Sequence, residues 1–160
     1  MPDRWAGIKV IGSEIVCVVF DIDGLQRTVI RDVKIPLQNG PRPEAYNQAH
    51  GRILDFLQQN QISKTAVVGS AVNHTGRSAA NLEAAELRGV VQLAAIQAGA
   101  TVCCVNMATL KKSKGLLGPL ATSEYMDDDA IWAAAVSGNL KKGSREAGVA
   151  AIAAQKQETP

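Results

Sequence analysis

The sequence predicts an α/β domain: a five-stranded mixed sheet, a three-strand antiparallel meander followed by α/β crossovers, with helices on both faces. Three observations predict it. The first third carries three strand-like runs separated by the turn dipeptides Gly12-Ser13 and Asp23-Gly24. Two further apolar runs, 64–72 and 101–107, each follow a helical pattern. The helix between those two runs is long and has a turn signal at each end.

The elements follow in order. "AGIKVIG" (6–12) is short and rich in Ile and Val, and "EIVCVVFDID" (14–23) has the continuous apolar centre of a strand buried on both faces. "LQRTVIRDVKIPL" (25–37) alternates as a half-exposed strand does. Pro43 suits the first turn of a helix, and Ala49, Ile53, Phe56 and Leu57 recur at helical spacing, so a helix spans 43–60. "KTAVVGSAV" (64–72) is a buried strand. After the loop "NHTGR", Ser78 is an N-cap for a helix over 79–98, on which Leu82, Ala85, Gly89, Leu93 and Ile96 share one face; Gly99 ends it. "TVCCVNM" (101–107) is the last strand. A basic segment (108–115), a loop, and a helix in "DDDAIWAAAVSG" stopping at Gly138 come next. "VAAIAA" (149–154) is expected to dock as a last helical turn or two, and 155–160 to fray.

At 160 residues one domain, 1–160, is expected, and 46% hydrophobic with 20% charged residues is ordinary for a globular protein. The opening "MPDRWAGIKV" has no basic-then-apolar leader pattern, and no apolar run reaches the ~18 residues of a membrane span, so a cytoplasmic protein without a membrane partner is expected. A net charge of +2 is too small to argue for nucleic acid by itself; such binding needs local basic patches. Cys17, Cys103 and Cys104 lack metal-ligand spacing and read as buried, reduced thiols. His50 and His74 are isolated, without a nucleophile at an obvious spacing. "GSAVNHTGRS" matches no phosphate-loop fingerprint.

The densest carboxylate cluster is Asp127, Asp128 and Asp129, at the threshold of an apolar run. Two readings stand. Aspartates at a helix start accept from free N–H groups and complement the macrodipole, each contributing ~0.3–1 kcal/mol. Alternatively they are metal ligands, although three adjacent helical residues are splayed by about 100° each and cannot all face one ion. Asp21 and Asp23 in "VFDIDG" lie on one face of their strand and are further carboxylate candidates; beside Gly24, Asp23 also reads as a turn residue. The basic clusters are Lys111, Lys112 and Lys114, with Arg77 in the loop after the fourth strand, and in the tail Lys141, Lys142 and Arg145.

From the long helix onward, "LRGVVQLAAI", a strand, the basic turn "TLKKSKGLLG" and the Asp-bearing "DDDAIWAAAVSG" resemble the second half of RuvC-type Holliday junction resolvases. The resemblance covers roughly residues 5 to 140 and implies a ribonuclease H-like fold, whose element order matches the one above. In that family two divalent metals are held by carboxylates on the first strand, at the end of the fourth strand and on the last helix. Two cations about 4 Å apart clamp the attacking and leaving oxygens of an in-line displacement. Placed on this chain, the first-strand position falls on Lys9 of "GIK", the fourth-strand position on Ser70, and the last-helix acid on Asp129. One acid of three is too little for a two-metal site.

The resemblance therefore implies a RuvC-like pseudo-nuclease, a binding module for nucleic acid or for a DNA-processing protein. Lys111, Lys112, Lys114 and Arg77 would contact phosphates, no cofactor is expected, and Lys9 is expected to pair with Asp129 where the metal would sit. The alternative is a metal-dependent endonuclease of structured DNA, using Mg²⁺ or Mn²⁺ with a rearranged set drawn from Asp21, Asp23, Asp127, Asp128 and Asp129. A third is a structural oligomerisation unit, since resolvases of this type work as dimers, and a homodimer is part of that reading.

Overall fold

The computed structural model describes residues 3–69 and 78–158. Its elements are β1 (Asp3–Ile11), β2 (Glu14–Asp23), β3 (Gln26–Pro36), α1 (Arg42–Gln59), β4 (Lys64–Gly69), α2 (Ala79–Gln97), β5 (Thr101–Asn106), α3 (Met107–Lys112), α4 (Asp129–Ala135) and α5 (Arg145–Glu158). Ser70, Arg77 and the expected end of the fourth strand lie outside the described residues. The sheet order is β3-β2-β1-β4-β5, with β1–β2 and β2–β3 antiparallel and β1–β4 and β4–β5 parallel. The fold class is the expected one: a five-stranded mixed sheet with helices on both faces.

Side-chain alternation along the strands makes two cores. Ala6, Ile8, Val10, Ile15, Cys17, Val19 and Val67 pack under α1 and α2, against Ile53, Leu57, Leu87 and Val91. Trp5, Val16, Val18, Phe20, Ala66 and Val68 pack on the other side, against α3, α4 and the alanine-rich face of α5. The Asp23-Gly24 turn joins β2 to β3 with Gly24 at φ +60°, a conformation glycine adopts without penalty. Helix starts are capped by short polar side chains: Ser78 accepts from the Asn81 amide at 3.2 Å, and Asn106 from that of Thr109 at 3.2 Å.

Three expectations change. Leu82, Ala85, Gly89, Leu93 and Ile96 do share a face of α2, but it points outward; the buried residues are Leu87, Val91, Ala94 and Ala95. The helix at the aspartates is short, and the last helix of the fold is α5, fourteen residues long instead of a turn or two. The tail stays helical through Glu158, with Gln155 buried and accepting from Arg27 Nε at 2.5 Å. Both α5 corrections share one cause. Alanine-rich sequence carries a weak apolar signal, yet small side chains let a helix lie close on a sheet and bury ten of its residues.

Candidate nucleic-acid interface

The site begins with the alternation of β1. Ala6, Ile8 and Val10 face α1 and α2, which turns Trp5, Gly7 and Lys9 toward α5. A Cβ built on Gly7 would overlap the backbone carbonyl of Ala147. The missing side chain lets the first turn of α5 rest directly on β1, which brings Glu146 beside Lys9. The Lys9 ammonium and Glu146 Oε2 form an ion pair, and Glu146 Oε1 takes Lys111 Nζ at 2.8 Å. Burial, then the neighbouring Lys111, hold the Lys9 pKa below its ordinary 10.5.

The expected Lys9–Asp129 pair is therefore replaced. Lys9 pairs with Glu146 because the last helix is α5 and not the helix at the aspartates. Asp129 pairs instead with Arg145 Nη2 at 2.5 Å, with Lys142 Nζ at 4.0 Å. That hydrogen bond to Arg145, then the charge of Lys142, lower the Asp129 pKa from its ordinary 3.8.

The three adjacent aspartates turn out to do three different things. Asp128 is the N-cap of α4, accepting from the amides of Ala130 at 3.0 Å and Ile131 at 3.1 Å. Asp129 ties α4 to α5 through Arg145. Asp127 lines a cavity of about 420 Å³ with Lys111, Ser123, Lys142 and Glu146. A second cavity of about 300 Å³, on the other side of Lys9, is lined by Gly69, Asn81 and Arg88. The second opens at the carboxyl ends of β1 and β4, where the chain crosses from the meander to the parallel part of the sheet, and the first is reached from it through the Lys9–Glu146–Lys111 pairs. Open α/β sheets commonly bind ligands at such a switch point.

The other candidates scatter. Asp21 is paired with Arg4 at 2.8 Å, five positions along β1 from Lys9, and Asp23 lies beyond it as the last residue of β2. Among the described residues no group of three or more His, Cys, Asp or Glu is placed to hold a metal ion, so Asp21, Asp23 and Asp129 do not converge. Lys112 and Lys114 are exposed at and just after the end of α3. Of the tail cations, Lys142 lines the cavity of about 420 Å³ and Arg145 a smaller one of about 130 Å³ beside Asp129. Arg145 is buried over the Trp132 ring at 5.7 Å and donates to the Met126 carbonyl at 2.9 Å, and Lys141 donates its backbone amide to Asp32 at 2.8 Å. Cys17 is buried, which pushes its thiol up to about 12, but Cys104 is exposed, contrary to expectation.

Sequence reasoning did not single out Glu146 and Arg88. The signal for Glu146 was present: a carboxylate opening the small-residue run "AGVAAIAA", with Gly7 in β1 to receive it. Pairing the two required knowing which helix docks.

No family model and no curated protein matches the chain. Among solved structures, Thermus thermophilus RuvC superposes at a TM-score of 0.73 with 17% identity, over 94% of this chain and 93% of that one. T. thermophilus RuvC in complex with Holliday junction substrate superposes at 0.72 with 17% identity, over 97% and 94%. Among the described residues no helix is long and apolar enough to cross a membrane. From β1 to α5, the chain has a RuvC-like, ribonuclease H-like fold.

Proposed function

We propose that this chain binds structured DNA at the carboxyl ends of β1 and β4 and does not cleave it. The observation that carries the reading is the Lys9–Glu146 ion pair on the face shared by the first strand and the last helix. Those are two of the places where the resembling nucleases hold metals with carboxylates. The donor set here does not fit a pair of divalent cations: one of the two positions is a cation itself, and the Glu146 carboxylate is engaged by Lys9 and Lys111. An ammonium supplies a fixed single charge that attracts phosphate. It cannot lower the pKa of a bound water as a coordinated metal does, so it binds without generating a nucleophile.

Arg88, Lys9, Lys111 and Lys142 form a basic path across the two cavities. Cations so placed suit a phosphate backbone, and the affinity they supply falls steeply with salt. The RuvC neighbour with a Holliday junction on nearly the same fold supports a branched duplex as the first ligand to try.

Fluorescence anisotropy with a four-way junction, with a duplex control and with Mg²⁺ or Mn²⁺ present or absent, tests the reading; cleavage is followed on the same samples. Expected are salt-sensitive, metal-independent binding and intact DNA. Metal-dependent cleavage lost in Asp127→Asn or Glu146→Gln would overturn it, in favour of an endonuclease with a rearranged carboxylate set.

A further inference from the structure

The turn that carries Asp127 is fixed on both sides, yet its carboxylate is left unused by the fold. Tyr125 is buried, and its carbonyl accepts from Trp132 Nε1 at 3.2 Å and from the Asp128 amide at 3.0 Å. The Met126 carbonyl accepts from Arg145 Nη1 at 2.9 Å, and Asp128 caps α4. Asp127 stands between these anchors and lines the cavity of about 420 Å³ with Ser123, Met126, Lys111 and Lys142. Among the described residues its carboxylate has no hydrogen bond or ion pair, whereas those of Asp128 and Asp129 are both engaged.

A carboxylate among cations that hold phosphates repels the backbone beside it, and only a donor on the ligand offsets that repulsion. On DNA such donors belong to the bases. An ionised carboxylate accepts only, through two oxygens side by side. Adenine and cytosine set their one amino group beside a ring nitrogen that itself accepts, and thymine sets its N3–H between two carbonyls. Guanine alone offers two adjacent donors, N1–H and the N2 amino group, with the O6 acceptor next to them. We propose that Asp127 receives an unpaired guanine in this cavity, accepting from N1 and N2. The base then turns O6 toward the ammoniums of Lys111 and Lys142, and the Met126 thioether lies against its ring.

Pairing in a duplex consumes these two donors, so the cavity selects a base outside the stack, as a branch point or a bulge presents it. Its volume lies within the ~300–1,000 Å³ of pockets that enclose a small ligand. The pinned turn matters because two parallel bonds tolerate little displacement of the carboxylate. The inference rests on the DNA reading above and adds to it a base preference seated at one residue.

The test is fluorescence anisotropy of the full chain with duplexes alike except for one bulged nucleotide, carrying guanine, hypoxanthine, adenine, cytosine or thymine. The guanine bulge is expected to bind about tenfold or more tighter than the adenine, cytosine and thymine bulges, the discrimination of a good bidentate pair. Hypoxanthine, which lacks the N2 amino group, should fall between. Asp127→Asn sets an amide donor against one of guanine's donors and should erase the preference. It should also bind the other bulges more tightly, because a negative charge leaves the phosphate path. Its melting temperature should stay native, because Asp127 is exposed. A guanine preference that persists in Asp127→Asn overturns the proposal, as does a preference for another base. Binding without base preference overturns this inference alone, whereas no binding to any of the bulged duplexes overturns the DNA reading and this inference with it.

Discussion

Gly7 of β1 lies against the backbone carbonyl of Ala147 in α5, with the Ala151 side chain close by: a Cβ on Gly7 would come within 3.3 Å of the Ala151 Cβ and would overlap the carbonyl itself. The contact sets the height of α5 above the sheet, and through it the distance from Glu146 to Lys9. Gly7→Ala is therefore expected to destabilise the fold by about 1–3 kcal/mol, the range of overpacking in a close-packed core. Urea denaturation with an unchanged m-value would show it. Gly51→Ala, at a helix position open to space, is the control and should be neutral or stabilising.

Glu146 neutralises two lysines of the basic path, so its removal should have opposite effects on stability and binding. Glu146→Gln leaves half-buried Lys9 without a counter-charge and should lower stability by about 1–2 kcal/mol, less than for a fully buried pair. The same substitution removes a negative charge beside the proposed phosphate path and should tighten DNA binding at low salt. Anisotropy titrations at two salt concentrations, beside melting curves, would separate the two effects.

Each phosphate contact that is lost should flatten the dependence of affinity on salt. Arg88→Ala, Lys111→Ala and Lys142→Ala are each expected to weaken junction binding and to reduce the slope of log K against log salt by about 1. Lys64→Ala, at the amino end of β4 and so at the opposite end of the sheet, should leave the slope alone.

The pH dependence of the Asp129–Arg145 tie has a definite sign. Its hydrogen bond to Arg145 lowers the folded pKa of Asp129 below 3.8, so the unfolded chain takes up this proton first as pH falls. The stability it contributes is present above 3.8 and is lost as pH drops through the folded value. Thermal melts of the native protein and of Asp129→Asn should therefore differ at neutral pH and converge in acid. A difference that persists unchanged below pH 3 would mean that the carboxylate charge is not what ties α4 to α5.

The cysteines divide by burial. Cys17 is buried, with its thiol pushed up to about 12, and should react with a thiol reagent only after unfolding. Cys104 is exposed and should react at once in the native protein. Mass mapping of labelled peptides before and after denaturation would distinguish them.

Much of the architecture was legible because it is written in local chemistry. Turn dipeptides at Gly12-Ser13 and Asp23-Gly24, unbroken Val and Ile runs, and Ser78 ahead of a long helix place β1–β3, β4, α2 and β5 within a few residues of where they lie. Asp128 capping α4 was also one of the readings the residues allowed. Less legible was anything that depends on alanine and glycine. These residues mark neither face of a helix strongly, so α5 read as a turn or two, and the outward stripe of α2 could not be told from its buried one.

The amino-acid sequence by itself determined the order of elements, the sheet they build, and a lysine on the first strand at position 9. These follow from side-chain periodicity and charge, properties each segment carries alone. The tertiary structure decided which carboxylate answers that lysine. Glu146 and Lys9 are 137 positions apart, and they meet because Gly7 has no side chain to hold Ala147 away. A close approach of two backbones belongs to neither segment and exists only once they are packed.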